Sequence, residues 1–330
     1  MYNHLKYKSM NKCLVTKLNG VVSNKNLTPL GCAAFTAYPS NNTLKLECEG
    51  NNVEYFTANG EAIFSTDKSI FVNRISANQQ VFVKTDKPTL VFISNKYELT
   101  KVDIFDSTDN AQLDIDFNDF KYCKKIGAFN ITNLRTLTGD ISSLSSLTSL
   151  QTLQLGYTSV SGDISSLSSL TSLQTLQLDY TSVSGDISSL SSLTSLQTLS
   201  LSSTSVSGDI SSLSSLTSLQ MLQLYSTSVS GDISSLSSLS LQEIILYNMP
   251  VSGDISSFNN MVKLSVLKMG DICTGYFKTL CNTLKTNGKT SGTLTFWAFQ
   301  GQIKIDNQTN CPNNDVIATF SEGGISYSGL

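Results

Sequence analysis

The 330-residue chain has a single histidine, His4, close to its N-terminus. One histidine in that position cannot complete a Ser-His-Asp or Cys-His catalytic set. The sequence also lacks a glycine-rich phosphate-binding loop and a Cys-x-x-Cys pair, and no two carboxylates stand out as a glycosidase pair. These absences predict a protein that is not an enzyme and uses no cofactor.

Positive charge is missing from the middle of the chain. No Lys or Arg lies between Arg135 and Lys263, and the formal net charge is -3. Because nucleic-acid binding depends on cations placed against phosphates, we expect no nucleic-acid partner. No run of about 18 apolar residues occurs, so we expect no membrane span.

The N-terminal residues do not show the pattern of an export signal. Residues 1–22 contain lysines but no uninterrupted apolar core, so we expect no Sec signal peptide. The seven cysteines are odd in number and scattered. Both features favour reduced thiols in a protein made in the cytosol.

The chain does contain one unit of sequence that recurs between Leu147 and Asp271. A Gly-Asp-Ile triplet returns at intervals of 23, 23, 23, 23 and 22 residues. A fixed period of this size is typical of a solenoid, in which each repeat buries its apolar face only against its neighbours. The triplets begin at Gly139, Gly162, Gly185, Gly208, Gly231 and Gly253.

The consensus Leu-x-x-Leu-x-x-Leu-x-Leu-x-x-Thr-x-Val-x-Gly-x-Ile-x-x-Leu resembles the leucine-rich repeat superfamily. Its Gly-Asp-Ile element is similar to the Gly-x-Ile of the plant-type subclass, where a second short strand follows the turn. The resemblance implies a solenoid with a parallel sheet. The usual Asn of the family is replaced by Thr158, Thr181, Thr204 and Thr227, whose hydroxyls we expect to bridge neighbouring turns.

Alternation within the repeat assigns its two faces. Leu153 and Leu155 should point inward, while Thr152 and Gln154 point outward from a short strand. Gly162 and its equivalents are expected where φ is positive or a Cβ would clash. The Asp after each glycine should cap a short helical turn, with a shared Ca²⁺ as the alternative. These residues are Asp140, Asp163, Asp186, Asp209, Asp232 and Asp254.

The copies differ from one another mainly at outward positions, which predicts a binding site on the concave face of the sheet. Tyrosines that alternate with Gln, Ser and Asn provide adaptable contacts and also suit sugar stacking. The alternative is drift wherever packing allows it. The candidate binding residues are Gln154, Tyr157, Gln177, Asp179, Tyr180, Ser200, Gln223, Tyr225, Ile245 and Tyr247.

The predicted fold class is α+β, mainly β, in three domains. Residues 1–122 read as an antiparallel β-sandwich-like attachment domain with a hairpin around Asn59-Gly60, although sugar binding is the alternative role. Residues 123–271 form the solenoid. Residues 272–330 form a capping segment, with a helix from Phe277 to Leu284 followed by strands. Phe296, Trp297 and Phe299 are expected in its core, with a ligand-stacking cluster as the alternative.

The opening Cys13–Gly31 resembles virion-associated proteins of crAss-like gut bacteriophages. This resemblance implies a virion component, such as a fibre or appendage, made in the host cytoplasm. Its concave face would bind a protein or carbohydrate on the host surface, or another virion protein, and it could form a dimer or trimer. The alternatives are a bacterial leucine-rich-repeat adhesin at the cell surface and a particle assembly adaptor.

Overall fold

The structure is a computed structural model. It describes residues 117–120, 124–135, 137–270, 273–298, 302–306, 309–310 and 315–329, together with the backbone of nine strands between His4 and Phe105. The chain forms two compact units, Met1–Gly162 and Asp163–Leu330. The predicted limits at 122 and 271 stay predictions.

The first unit begins with strands joined mainly by antiparallel pairing. The strands are β1 (His4–Lys6), β2 (Cys32–Pro39), β3 (Leu44–Glu49), β4 (Glu54–Thr57), β5 (Ala62–Ile63), β6 (Ser69–Phe71), β7 (Val81–Lys84), β8 (Thr89–Ser94) and β9 (Leu99–Phe105). One sheet has the order β1-β8-β3-β6, and a second set pairs as β5-β4-β7-β2-β9. The pairing of Tyr55 with Ile63 confirms the hairpin. Side-chain packing, on which the sandwich prediction depends, lies outside the described residues.

The first unit ends in the first coils of the repeat, where a coil is one full repeat. They contain β10 (Ala128–Thr132), β11 (Thr138–Asp140), β12 (Thr152–Gln154) and β13 (Ser159–Asp163), with a 3-10 turn at Ile141–Leu144. β10 pairs in parallel with both β9 and β12, so the sheet continues from the N-terminal strands into the coils. A 3-10 turn, Phe117–Phe120, covers the first coil, because both its phenylalanines pack edge-on against Phe129 of β10.

The second unit repeats the same coil and then closes it. Its strands are β14 (Thr175–Gln177), β15 (Ser182–Asp186), β16 (Thr198–Ser200), β17 (Ser205–Asp209), β18 (Met221–Gln223), β19 (Ser228–Asp232), β20 (Glu243–Leu246), β21 (Val251–Asp254), β22 (Val266–Met269), β23 (Cys273–Tyr276), β24 (Gly292–Ala298), β25 (Gln302–Lys304), β26 (Val316–Ser321) and β27 (Gly324–Ser328). The 3-10 turns are Ile164–Leu167, Ile187–Leu190, Ile210–Ser215, Ile233–Leu236 and Ile255–Phe258, and helix α1 is Phe277–Thr286.

The coils of the second unit stack in register. Leu176 of β14 pairs with Leu199 of β16, Leu199 with Leu222 of β18, and Leu222 with Ile244 of β20. The inward leucine, isoleucine and valine positions have no exposed surface, whereas the residues between them are largely exposed or half-buried. This confirms the predicted inward direction of the leucines in the short strands, because a period of two places alternate side chains on opposite faces. The parallel sheet is confirmed by the same pairs.

Each Asp of the Gly-Asp-Ile triplet caps the 3-10 turn that follows it. In all six coils the carboxylate accepts a hydrogen bond of 2.8 Å from the backbone N–H of the serine two residues later. The same carboxylate lies against the glycine of the next coil, since a Cβ on Gly231 would come within 2.6 Å of Asp209 Oδ1. Gly231 also has a φ of 109°. Both predicted reasons for this glycine are therefore confirmed.

The predicted threonine bridge between turns is wrong. Thr181 Oγ1 donates to the carbonyl of Leu178 at 2.7 Å, and the same bond within one coil recurs from Thr158, Thr204 and Thr227. A threonine hydroxyl has one proton on a short side chain, so it satisfies its own turn and has no second donor for a neighbouring one.

The C-terminal segment ends the parallel stacking. Helix α1 takes the place of a 3-10 turn and buries Phe277, Leu280, Cys281 and Leu284, as its spacing predicts. After β24 joins the sheet in parallel, β26 and β27 pair as an antiparallel hairpin on its outer side. A helix plus strands at this end is confirmed.

We expect Leu199→Ala to lower the free energy of unfolding by about 2–5 kcal/mol, because it removes buried side-chain volume in mid-stack. Ser195→Ala in the same coil is the matched control, since Ser195 is exposed. Circular dichroism melts of both variants test the inward frame. Equal melting of Leu199→Ala and wild type would contradict it.

Gly231→Ala should destabilise the protein more than Gly288→Ala. Both glycines have φ near 110°, so each alanine carries about 1–2 kcal/mol of backbone strain. Only at Gly231 does the new Cβ also meet the Asp209 carboxylate, whereas Gly288 has open space around it. Denaturant unfolding of the two variants separates strain from contact. Equal losses would show that the carboxylate moves aside without cost.

Candidate functional site

The outward face of the strand sheet, opposite the buried leucines, carries the candidate residues at three positions of each coil. The first position lies at the end of the short strand, as Gln177 does. The second lies two residues later, as Asp179 does, and the third is the next residue, as Tyr180 is. In the first unit these positions include half-buried Gln154 and exposed Tyr157. In the second unit they are half-buried Gln177, Asp179, Gln223, Tyr225, Ile245 and Tyr247, exposed Tyr180, and buried Ser200.

The third position has a left-handed backbone in six successive coils. Its φ is 59° at Tyr157, 54° at Tyr180 and 55° at Ser203, and it is similar at Ser226 and Asn248. Non-glycine residues avoid this region, and asparagine tolerates it better than a bulky side chain does. Tyr157 and Tyr180 nevertheless occupy it, with 44% and 43% of their surface exposed. These two tyrosines are therefore held in a strained conformation while they contribute little to the core.

Four aromatic side chains of the second unit form a contiguous row, here called the aromatic row: Tyr180, Tyr225, Tyr247 and Trp297. Tyr225 Oη donates to Tyr180 Oη at 2.9 Å, and the ring centroids are 6.3 Å apart. Tyr225 and Tyr247 stack in parallel at 4.8 Å, and Tyr247 meets the Trp297 indole edge-to-face at 5.1 Å. Three predicted tyrosines thus come together, and burial raises the pKa of Tyr247.

Beside the aromatic row, a chain of polar side chains crosses four coils. Ser200 Oγ lies 2.5 Å from Asp179 Oδ1 and 3.0 Å from Gln223 Oε1, and Gln223 Nε2 donates to Glu243. The backbone N–H of Ser202 also donates to Asp179 at 2.9 Å. Ser200 is therefore buried and connects two predicted contact residues, Asp179 and Gln223, through hydrogen bonds. A glutamine or serine at this position looks interchangeable in sequence, but only serine is short enough to be buried here.

Asp179 and the capping aspartates have opposite electrostatics. Burial raises the pKa of Asp179, against the lowering effect of its bonds from Ser200 and Ser202. At Asp186 the serine N–H bond lowers the pKa of an exposed carboxyl. The same residue type therefore stabilises the fold at one position and opposes it at the other at neutral pH.

Trp297 belongs to the outward face, although its sequence neighbours suggested a core position. Phe296 is buried and stacks on Phe277 at 4.3 Å, while Trp297 alternates to the other face and is half-buried. β24 pairs Lys268 with Trp297, which places the indole at the first outward position of one more coil. The missed signal was the strand period of two across 294–298. Phe299 lies outside the described residues.

Trp297, Tyr247, Asn248 and Lys268 line a depression of about 540 Å³. Lys268 Nζ forms an ion pair with Asp315 at 3.4 Å, and the Asn248 amide donates to Ser226 Oγ at 2.9 Å. The depression therefore combines two aromatic rings, an amide and a neutralised charge. Ile245 stands between Gln223 and Lys268 in the strand register and is half-buried.

The groups that could support covalent or metal chemistry are inert or dispersed in the described part of the chain. Cys273 and Cys281 are buried free thiols, and burial raises their pKa to about 11 and about 12. No three His, Cys, Asp or Glu side chains cluster as metal ligands among the described residues. Among the same residues no helix is long and apolar enough to cross a membrane.

Asp179→Asn and Asp186→Asn should change the pH dependence of stability in opposite directions. A raised folded-state pKa means that Asp179 opposes folding at pH 7, and this effect disappears below its ordinary value of 3.8. Asp179→Asn should therefore raise Tm at pH 7, and the gain should vanish at acid pH. Asp186→Asn should lower Tm at pH 7, with the loss shrinking as pH falls through the lowered pKa. Thermal melts between pH 7 and 3 measure both.

Identical pH profiles for the two variants would contradict this assignment. Asparagine keeps an oxygen that can accept the serine N–H in each case, so the comparison isolates charge from hydrogen bonding.

Comparisons with known proteins return partial matches to solved structures. No protein-family model matches the sequence, and no curated protein matches it. Among solved structures, the plant peptide hormone receptor RGFR1 in complex with RGF2 is 21% identical over 57% of this chain, with a TM-score of 0.44. The Arabidopsis receptor kinase HAESA ectodomain is 26% identical over 57% of this chain, with a TM-score of 0.47. The chain spans 38% and 31% of the length of these two proteins.

Internalin C2 of Listeria monocytogenes is 26% identical over 55% of this chain and 82% of its own length, with a TM-score of 0.38. The fold assignment rests on the coils themselves. Their period, their parallel register and the capped Gly-Asp-Ile turn recur from one coil to the next. These features identify the repeated coils as a leucine-rich repeat solenoid.

Proposed function

We propose that this chain is a non-enzymatic binding protein whose outward face recognises a protein or carbohydrate ligand. The observation that carries the proposal is the pair of exposed tyrosines in left-handed backbone, Tyr157 and Tyr180. Strained residues persist where function requires them, and asparagine at the same position would reduce the strain. Asn133 and Asn248 occupy the same position in other coils.

The chemistry of the face supports recognition rather than core packing. Tyr180, Tyr225 and Tyr247 keep exposed surface while they hold one another in place. Ordered aromatic rings lose little conformational freedom on binding, so they are efficient contact residues. The flanking Asp179 and Gln223 offer hydrogen bonds from positions fixed by Ser200.

The biological setting proposed for this binding protein is a bacteriophage particle, where the N-terminal strands would attach it and the coils would meet the host surface. Its support is the opening at Cys13–Gly31, which lies outside the described residues. Mass spectrometry of purified particles tests the setting. Detection only in bacterial surface fractions would favour the adhesin, and detection in particles without host binding would favour the assembly adaptor.

Tyr180→Asn should abolish most binding to surface material of the host while it changes the free energy of unfolding by less than about 1 kcal/mol. The left-handed strain that is released, about 1 kcal/mol, offsets most of the loss of the edge-to-face contact and of the exposed hydrogen bond with Tyr225. Ser203→Asn is the matched control, because it has the same backbone and no ring. Binding is measured by pull-down on surface fractions, and stability by thermal melts.

Undiminished binding by Tyr180→Asn together with Tyr157→Asn would place recognition away from these tyrosines. Equal loss in Tyr180→Asn and Ser203→Asn would point to the turn rather than the aromatic ring.

A further inference from the structure

A half-buried carboxyl group on the outward face has no positive partner. Among the described residues Asp179 forms no ion pair, and the sequence has no Lys or Arg between Arg135 and Lys263. Burial raises the pKa of Asp179, so its surroundings oppose the negative charge more than its hydrogen bonds favour it. A positively charged group from a ligand would stabilise that charge.

Ser202 indicates independently that the surroundings of Asp179 are incomplete. Its side chain has no exposed surface, and its hydroxyl has no hydrogen-bond partner in the described part of the chain. Its backbone N–H donates to Asp179 Oδ1 at 2.9 Å, and its hydroxyl faces the same carboxyl and helps to lower the pKa there. A buried hydroxyl without a partner is costly. Ser202 is therefore placed to stabilise an ionised Asp179, which is the form that a cationic ligand requires.

The hydrogen-bonded chain that runs from Asp179 to Glu243 has fewer protons than contacts. Its three contacts join the two carboxyl groups through Ser200 and Gln223. The Ser200 hydroxyl supplies one proton, and the Gln223 NH₂ group, which faces Glu243, supplies a second. Turning the Gln223 amide over would place its oxygen against the Glu243 carboxylate and only move the shortage. With both carboxyl groups ionised, the chain is one donor short.

The missing donor can reach this chain from outside the protein. Asp179, Gln223 and Glu243 are half-buried and keep exposed surface, whereas Ser200 has none. The hydrogen bonds that Asp179 accepts from Ser200 and Ser202 both end on Oδ1. Its second oxygen, Oδ2, is therefore left to accept a hydrogen bond from a ligand.

A guanidinium group suits this arrangement better than an ammonium group does. Acceptors from several coils lie along one strip, and a guanidinium has five N–H donors in a rigid fork, whereas an ammonium is a compact point charge. Lys268 is on the same face, but it is paired with Asp315 at 3.4 Å and so opposes a cationic ligand only weakly.

We propose that the outward face binds an arginine side chain of a peptide or protein ligand, with Asp179 as its counter-ion. This inference rests on the proposed function, because the site belongs to the same face, and it names the ligand class. Asp179 Oδ2 and Gln223 accept hydrogen bonds from the guanidinium, and Glu243 adds a second negative charge. Ser200 and Ser202 are positioning residues that hold the Asp179 carboxyl.

Isothermal titration calorimetry of the full chain tests the site with a short peptide that carries two arginines among glycines and serines. We expect saturable binding that weakens at least about tenfold when citrulline, the neutral isostere, replaces arginine. Asp179→Asn should weaken the Kd for the arginine peptide about tenfold, because a charge-assisted hydrogen bond is lost. The citrulline comparison uses the wild-type chain, so it does not depend on how the variant folds.

Asp186→Asn is the matched control, because it removes the same charge from an exposed turn-capping position. It should change the Kd less than about twofold, since solvent and salt screen that carboxyl. A matching lysine peptide should bind several-fold more weakly than the arginine peptide.

Equal affinity for the arginine and citrulline peptides overturns the inference, and so does an equal Kd for wild type and Asp179→Asn. Absence of saturable binding overturns it as well, and equal binding of the lysine peptide overturns the choice of arginine. If the peptide titrations fail while Tyr180→Asn still abolishes binding to host surface fractions, the proposed function stands and only the arginine site falls.

Discussion

The contact between one coil's aspartate and the next coil's glycine constrains the whole repeat. The carboxylate of Asp209 accepts the N–H that opens its own 3-10 turn, and its outer side lies where a Cβ of Gly231 would be. One aspartate side chain thus caps the 3-10 turn of its own coil and contacts the glycine of the next coil. The capped turn and the sheet register recur together, so the leucines of successive strands meet row by row and the outward positions of successive coils lie side by side.

The outward face illustrates a division of labour within one repeat. Leucines and caps carry the stability, so the remaining positions are free to hold residues that cost stability, such as left-handed tyrosines and the half-buried Asp179 carboxyl. Natural proteins commonly depart from local conformational preferences at functional sites. In the described coils the left-handed tyrosines and the Asp179 carboxyl all lie at outward positions, which is the arrangement that a binding surface built on a rigid frame requires.

Most of the frame could be predicted from sequence, and the details of the site could not. Leucine spacing and the Gly-Asp-Ile triplet specify local geometry, which explains why the inward positions, the Asp cap and helix α1 agree with expectation. The aromatic row depends on side chains from non-adjacent coils, such as Tyr180 and Tyr225, leaning over small residues between them. The spacing of residues in the sequence does not show that side chains two coils apart come into contact. The core position expected for Trp297 is wrong because the alternation across 294–298 places its side chain on the face opposite that of Phe296.

The coil with a 22-residue step shows where the repeat can change. Its shortened turn between Leu239 and Leu241 leaves Leu222 and Ile244 paired in register, and both turn leucines remain buried. Each coil also offers the next one the same surface that it receives from the previous one. The number of coils is consequently an adjustable quantity, and adding or removing a whole coil would lengthen or shorten the outward strip in fixed steps without a new core.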